Sequence, residues 1–238
     1  MVFIFWIMVA LLGVAAMLSV VFRKLTITAA FTGWVIAITV FRGAGFTGVA
    51  MMAAFFLLAT FATSVGINKK LQLGLAETDK GKRNAQQVFA NAGAALILGL
   101  LIIFFPQKTG LFQLMMAAGF ASATADTLSS ELGNIYGRKF VNIITFKKDR
   151  RGTDGVISAE GTCIGITGSA IIALIYSLGT GESFSLLIII FAGTAGNLAD
   201  SILGATLERK GYLNNNAVNF CNTLTGAITA GCFGIFLG

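Results

Sequence analysis

The chain of 238 residues contains no histidine, a single proline and three cysteines, and only 11% of it is charged. Without histidine there is no Ser-His-Asp or Cys-His nucleophile, no imidazole general base and no His-liganded zinc. Cys163, Cys221 and Cys232 lie inside apolar stretches without metal-type pair spacing and read as buried small hydrophobes. A water-soluble domain carries about 25% charged residues, so a soluble α/β enzyme is excluded. The P-loop sequence Gly-x-x-x-x-Gly-Lys-[Ser/Thr] is also missing, which removes one class of nucleotide site. Whatever chemistry occurs must run on carboxylates, amides, hydroxyls and cations.

What the chain does have is apolar length: 56% hydrophobic residues and 29 glycines, with a mean hydropathy of +0.84. A helix crosses the hydrocarbon core with about 20 residues, and runs of that kind lie near 2–22, 25–41, 46–66, 85–105, 110–130, 157–178, 184–205 and 215–237. They predict an all-α, polytopic integral membrane bundle of about eight transmembrane helices, a single transmembrane domain over 1–238 located in the cell membrane. A β-barrel needs alternating segments of about ten residues, and Leu96 to Phe105 does not alternate. Met1 to Phe22 lacks a basic leader and a small-residue cleavage site, so it reads as a retained first helix.

The formal charge of +7 is a topological signal, and no nucleic-acid partner is expected. Arg23 and Lys24, then Lys69, Lys70, Lys80, Lys82 and Arg83, then Arg138, Lys139, Lys147, Lys148, Arg150 and Arg151, then Arg209 and Lys210 occupy alternate connections. Arg42 and Lys108 are left for the other side. Basic loops stay cytoplasmic, which makes 67–84 and 137–157 basic cytoplasmic loops and both termini non-cytoplasmic.

A carboxylate inside the membrane costs about 2.5–3.5 kcal/mol on insertion scales and suggests function by default. Ser122, Asp126, Ser129 and Gly133 follow i, i+4, i+7, i+11 spacing on one helix face, with Glu131 and Asn134 on the neighbouring stripe. Gly193, Asn197, Asp200 or Ser201, Gly204 and Glu208 repeat the arrangement, Asn215, Asn219, Asn222 and Gly226 repeat it again, and Asn84, Gln87 and Asn91 open another helix. The topology brings all four stripes to one membrane face. There the basic loop, carrying Gly152, Thr153, Asp154, Gly155 and Ser158, hangs over them. The expectation is a cytoplasm-facing polar cup roofed by positive charge. Oxygen ligands of this kind suit Mg²⁺, which keeps several waters and shares phosphate oxygens, and lysines and arginines cradle phosphates. A site without histidine can perform phosphoryl or nucleotidyl transfer by positioning and charge neutralisation.

Four strings then carry a resemblance: Arg83-Asn84-Ala85-Gln86-Gln87-Val88-Phe89-Ala90-Asn91, Ala125-Asp126-Thr127-Leu128-Ser129-Ser130-Glu131-Leu132-Gly133, Gly152-Thr153-Asp154-Gly155-Val156-Ile157-Ser158 and Gly196-Asn197-Leu198-Ala199-Asp200-Ser201-Ile202-Leu203-Gly204-Ala205. Together they resemble the membrane family of transmembrane protein 19 and phytyl-phosphate kinase, of the type called domain of unknown function 92, over essentially the whole chain. The resemblance implies a kinase that transfers the terminal phosphate of CTP, or another nucleoside triphosphate, to an isoprenoid monophosphate such as phytyl phosphate. The order Ala-Asp-Thr, Gly-Arg-Lys, a Lys-rich loop and Gly-Asn-Leu-x-x-Ser is more distantly similar to CDP-diacylglycerol synthase, whose members use CTP with Mg²⁺. This chain departs from their closing Gly-Gly-x-x-Asp-Arg-x-x-Asp, with Asn219 and Asn222 where the aspartates would fall and Asn197 at an earlier one.

The reading that joins residues and resemblance is a Mg²⁺-dependent prenyl-phosphate kinase. Asp126 and Asp200 are the expected metal ligands, with Asp154 and Glu131 beside them in the catalytic set. Arg83, Arg138, Lys139, Lys147, Lys148 and Arg151 are expected at phosphates. Gln87, Asn91, Ser158, Asn197, Ser201, Asn215, Asn219 and Asn222 supply the polar walls. A cytidylyltransferase making a CDP-lipid and a membrane transporter stay open as alternatives.

Overall fold

The computed structural model describes residues 2–76 and 81–237, so Lys80 of the expected basic loop lies outside the described residues. The chain runs through α1 (Val2–Val21), α2 (Ile27–Ser64), α3 (Ile67–Gln72), α4 (Ala85–Phe104) and α5 (Thr109–Tyr136). The short strands β1 (Val141–Asn142) and β2 (Val156–Ile157) follow, and then α6 (Ala159–Thr180), α7 (Ser185–Leu203) and α8 (Asn215–Leu237). Among the described residues, α1, α2, α4, α6 and α7 with its extension to Glu208 are long and apolar enough to cross a membrane.

The apolar runs 25–41 and 46–66 form the two limbs of one continuous element, α2. At Gly45 the backbone takes φ 60° and ψ −150°, a region open essentially to glycine alone. Phe56 packs against Leu25, Ala29 and Ala30. In a straight helix at 1.5 Å per residue, Ala30 and Phe56 would stand about 39 Å apart. The element therefore doubles back at Gly45 into two antiparallel limbs.

Helix α5 is the axis of the bundle and is contacted by both limbs of α2 and by α4, α6, α7 and α8. Apart from Phe120, its middle from Ala117 through Ala125 is made of Ala, Gly, Ser and Thr, and the whole stretch is buried. Small residues let membrane helices approach backbone to backbone. A Cβ on Gly196 of α7 would stand 1.9 Å from Ser122 Oγ, and one on Gly165 of α6 would stand 3.0 Å from the Ala125 carbonyl oxygen. By contrast α1 buries no residue and lies outside the bundle along α2. Trp34 pins it by donating from Nε1 to the Val9 carbonyl at 3.1 Å.

The cysteine expectation is corrected here: Cys163 and Cys232 are exposed and Cys221 is half-buried. In a bundle of this composition an apolar neighbourhood does not imply an interior position, because the outer surface is apolar as well.

Lys70, read from sequence as a marker of topology, is 2% exposed. Its ammonium donates to the Ala62 carbonyl at 2.7 Å and to the Thr63 carbonyl at 3.3 Å, at the carbonyl-bearing end of α2, and pairs with the Glu131 carboxylate of α5. Breaking a buried ion pair from one side costs about 3–5 kcal/mol, while replacing both partners with apolar residues is often neutral. Lys70→Met should therefore lower the melting temperature of the detergent-solubilised protein sharply, and Lys70→Met/Glu131→Leu should recover most of the loss. An unchanged melting temperature in the single variant would refute the role of the pair.

Candidate active site

The polar residues of α5, α7 and α8 meet in a cavity of about 170 Å³ at the end of the bundle. From α5 come Asp126, Ser129 and Ser130, from α7 Asn197, Asp200 and Ser201, and from α8 Asn215 and Asn219; the segment Gly152–Ser158 closes the top. The carboxyl groups of Asp126 and Asp200 interact directly, side chain to side chain. Asn222 holds this pair from below: its Nδ2 donates to Asp200 Oδ2 at 3.5 Å, and its Oδ1 accepts from Ser122 Oγ. Ser129 Oγ donates to Asn197 Oδ1 at 3.1 Å, tying α5 to α7.

Glu208 joins the cavity although it was left out of the expected catalytic set. Asp200 and Glu208 are eight residues apart, and eight residues of α-helix overshoot two turns by about 80°. Residues Gly204–Glu208 form a π-turn instead, whose wider spacing takes up the extra residue. Glu208 thereby returns to the face of Asp200, with which it interacts, as it does with Asp154 and Asn215. Its place in the polar heptad-like stripe was the signal available in the sequence.

The loop over the cavity is held by β1 and β2, in which Val141 pairs with Ile157 and Asn142 with Val156. Asn142 Oδ1 accepts from the Ile144 and Thr145 amides, both at 3.0 Å. Gly155, at φ +71°, lies so close to the π-turn that a Cβ would stand 2.3 Å from the Ala205 nitrogen. Arg209 completes the strap: its Nε donates to the Asp154 carbonyl at 2.7 Å and its guanidinium pairs with Asp149 at 2.9 Å. Ser158 caps α6 by accepting from the Gly161 amide and also lines the cavity.

Several expected site residues stand elsewhere. Glu131 faces Lys70 and is not part of the cavity wall. The expected cationic roof is corrected as well, because no lysine or arginine lines the cavity among the described residues. Arg138, Lys139, Lys147 and Lys148 are exposed. Arg151 donates to the Gly137 carbonyl at 3.1 Å and stacks over Phe140 at 4.5 Å. The loop residues that do line the cavity are Phe140 and Gly152–Ser158, with Asp154 the one charged residue among them. The stripe of α4 is diverted too. Asn84 and Gln87 form a reciprocal capping box, and Arg83, Gln87 and Asn91 line a separate groove against α1 and α2.

Among the described residues no three acidic or sulfur side chains converge into a ready-made metal cage. Mg²⁺ takes one or two protein carboxylates and completes its shell with water and phosphate oxygens, and the two carboxylates in direct interaction here are those of Asp126 and Asp200. Asp126 and Asp200 are the pair that would hold it.

Residues 9–227 match the model of the family described as integral membrane protein DUF92. The chain belongs to this family. An uncharacterized membrane protein of Methanocaldococcus jannaschii is 37% identical over 186 residues, 77% of this chain and 75% of that protein. The chloroplast protein VTE6 of Arabidopsis thaliana is 34% identical over 199 residues, which cover 79% of this chain and 59% of VTE6. An uncharacterized membrane protein of Synechocystis is 32% identical over 203 residues, 83% of this chain and 78% of that protein. No solved structure matches the chain. Membership of this DUF92 family, together with the apolar helices, makes the chain a multi-pass integral membrane protein.

In this DUF92 member three of the four strings singled out in the sequence meet at the cavity: 125–133 on α5, 152–158 over the top and 196–205 on α7. The fourth, 83–91, opens α4 and reaches the rim where Asn216 Nδ2 donates to Gln86 Oε1 at 3.4 Å.

The strap has a pH signature. The Arg150 amide, and then Arg209, hold the Asp149 carboxyl below the ordinary carboxylate range. A depressed native pKa contributes stability above the unfolded value of about 3.9, and the contribution is lost as pH falls through the lower native value. At neutral pH, Asp149→Asn or Arg209→Gln should speed tryptic cleavage after Lys147 and Lys148. Unchanged cleavage in both variants would show that the strap does not hold the loop.

Proposed function

We propose that the protein is a membrane phosphotransferase that moves the terminal phosphate of a nucleoside triphosphate, CTP by preference, onto an isoprenoid monophosphate such as phytyl phosphate. The observation that carries this reading is the direct interaction of Asp126 with Asp200, with Asp154 and Glu208 on the same cavity wall at longer electrostatic range, in a cavity whose described lining has no lysine or arginine. Acidic groups gathered in this way select a divalent cation with a phosphate chain rather than a neutral ligand. The four strings and their resemblance to phytyl-phosphate kinase supply the acceptor class. Similarity to CDP-diacylglycerol synthase supplies CTP. The positive-inside distribution of loops supports a bundle that crosses the membrane about eight times, with both termini outside and the cavity at the cytoplasmic face.

In the proposed reaction an oxygen of the acceptor monophosphate attacks the γ-phosphorus, a new P–O–P bridge forms, and the nucleoside diphosphate leaves as the β–γ bridge breaks. The acceptor brings its own anionic nucleophile, so no general base is needed, in keeping with the absence of histidine. Bound Mg²⁺ supplies charge neutralisation at the phosphates. Asp126 and Asp200 hold that charge in place, and the Asn222 amide keeps the Asp200 carboxylate turned toward the cavity. Asn197, Ser129, Asn215 and Asn219 offer hydrogen bonds to phosphate oxygens along the walls. The cavity takes the phosphate end of the nucleotide. Base and sugar extend past the cavity, and the exposed Arg138, Lys139, Lys147 and Lys148 raise the local concentration of anions.

Purified protein with phytyl or geranylgeranyl monophosphate, Mg²⁺ and CTP should yield the diphosphate and CDP. Asp126→Asn and Asp200→Asn should each lower kcat by about 10²-fold or more, the scale of removing one charge-stabilising group, in protein that still elutes as a folded species. Release of pyrophosphate with formation of a CDP-lipid would replace the kinase by a cytidylyltransferase. Flux of substrate into liposomes without nucleotide would replace it by a transporter.

A further inference from the structure

The acidic cavity holds about 170 Å³, below the range of about 300–1,000 Å³ usual for sites that enclose a whole small molecule. It has room for phosphate groups, and a long-chain acceptor must leave its hydrocarbon outside. We infer that the chain leaves sideways, through a gap between the start of α6 and the end of α7, where Thr162, Leu198 and Ser201 form the threshold between the acids and the bilayer. The inference rests on the kinase reading for the identity of the head group, and on packing alone for the position of the gap.

Three observations locate the gap and its occupant. Helices α6 and α7 touch closely as far as Gly165: a Cβ on Gly193 of α7 would stand 2.5 Å from Ser169 Oγ of α6, and one on Gly165 of α6 would stand 2.9 Å from Asn197 Nδ2 of α7. One turn nearer the loop, α6 turns to α5 instead. There a Cβ on Gly161 would meet the Ser129 carbonyl oxygen at 2.8 Å, the Ser158 cap at 3.0 Å and Gly133 Cα at 3.2 Å. The residues that α6 and α7 present at this level, Thr162, Leu198 and Ser201, line the cavity. Next, Leu198 faces both ways, because it lines the cavity and is also 37% exposed. Ile166, one turn along α6 from Thr162 and on the same side of the helix, is exposed as well. A chain can therefore pass from the bilayer to the cavity over hydrocarbon, without crossing water. Finally, the hydroxyls at the threshold are turned back on their own helices: Thr162 Oγ1 donates to the Ser158 carbonyl at 3.0 Å and Ser201 Oγ to the Asn197 carbonyl at 3.3 Å. Their protons are not offered across the gap, which leaves it to an apolar chain while the phosphate goes on to the groups within. On its side of the cavity α8 contributes Asn215 and Asn219 instead, an edge suited to the nucleotide, so the two substrates reach one site from different sides.

The test uses the full-length protein in nanodiscs with Mg²⁺ and a prenyl monophosphate that carries a diazirine in its first isoprene unit. Photolysis should place adducts on Thr162, Ile166 or Leu198 that excess geranylgeranyl monophosphate suppresses better than geranylgeraniol does. Leu198→Trp should fill the gap from the lipid side and remove these suppressible adducts. It should also raise the ratio of KM for geranylgeranyl monophosphate to KM for the short isopentenyl monophosphate about tenfold or more, the scale of a few methylenes in an apolar pocket. Ile228→Trp, on the exposed face of α8, should do neither. Suppressible adducts on α1, α2 or α8, equal suppression by phosphate and alcohol, or a Leu198→Trp variant that labels like the unsubstituted protein would each overturn the inference and leave the kinase reading intact. Labelling at the gap that the monophosphate suppresses, without phosphoryl transfer from any nucleotide, would overturn the kinase reading alone.

Discussion

Two carboxylates on neighbouring helices, brought into contact inside a membrane bundle, are the constraint from which the arrangement of this protein follows. At about 4 Å and an effective dielectric of 20, two like charges repel by about 4 kcal/mol. Asp126 and Asp200 can remain together only if a proton or a cation is shared between them, or if packing forces them to stay. The packing is visible in the glycines. Gly196 stands one turn before Asp200 and receives Ser122, one turn before Asp126, at a distance that leaves no room for a methyl group. Gly165 brings α6 against Ala125 and Asn197 in the same layer. The separation of the two acids is therefore set by backbone contact, the least compliant spacing a helical bundle offers.

Around that pair, polar side chains spend their hydrogen bonds on fixing orientation. Ser122 and Asn222 connect α5 to α8, Asn222 continues to Asp200, and Ser129 with Asn197 connects α5 to α7. Hydrogen bonds between membrane helices are worth about 0.6–2 kcal/mol each, modest as stabilisation but decisive for rotamers. The strap acts on the same geometry from above. Arg209 leaves the π-turn that swings Glu208 into the cavity and grips the loop at Asp154 and Asp149, so the turn and the loop position each other.

Much of this could be read in the sequence, and the failures have physical reasons. Spacings of four, seven and eleven located the faces of α5, α7 and α8, because a polar stripe on an apolar helix in lipid has few causes other than a neighbour or a ligand. The same spacing misled for α4. Asn84 and Gln87 satisfy the helix's own free amides, and periodicity cannot tell a capping box from a binding face. Glu208 stood on the stripe but at its far end, and only the π-turn, which periodicity does not show, returns it to the face of Asp200. Lys70 escaped because a lysine between two apolar runs has the same appearance whether it marks a membrane face or plugs a helix end. The hairpin at Gly45 was visible as two runs, yet nothing in the composition said that a single glycine would join them without a loop.

The contrast between Glu131 and Asp126 separates, on one helix, an acid that closes an ion pair from one that faces a second acid. Glu131 has a lysine whose remaining hydrogen bonds are satisfied by the carbonyls of Ala62 and Thr63, so the pair is complete and tolerates burial. Asp126, five residues earlier, faces Asp200 and a cavity whose described lining contains no lysine or arginine. Had the exposed cations reached inward, they would have formed permanent pairs with these acids and abolished their affinity for a diffusible cation. On the proposed reading, keeping Arg138, Lys139, Lys147 and Lys148 outside would preserve the negative floor and still draw anionic substrates from solution. On the same reading, acids inside the cavity and cations outside it would let a single site attract a metal and a polyphosphate together.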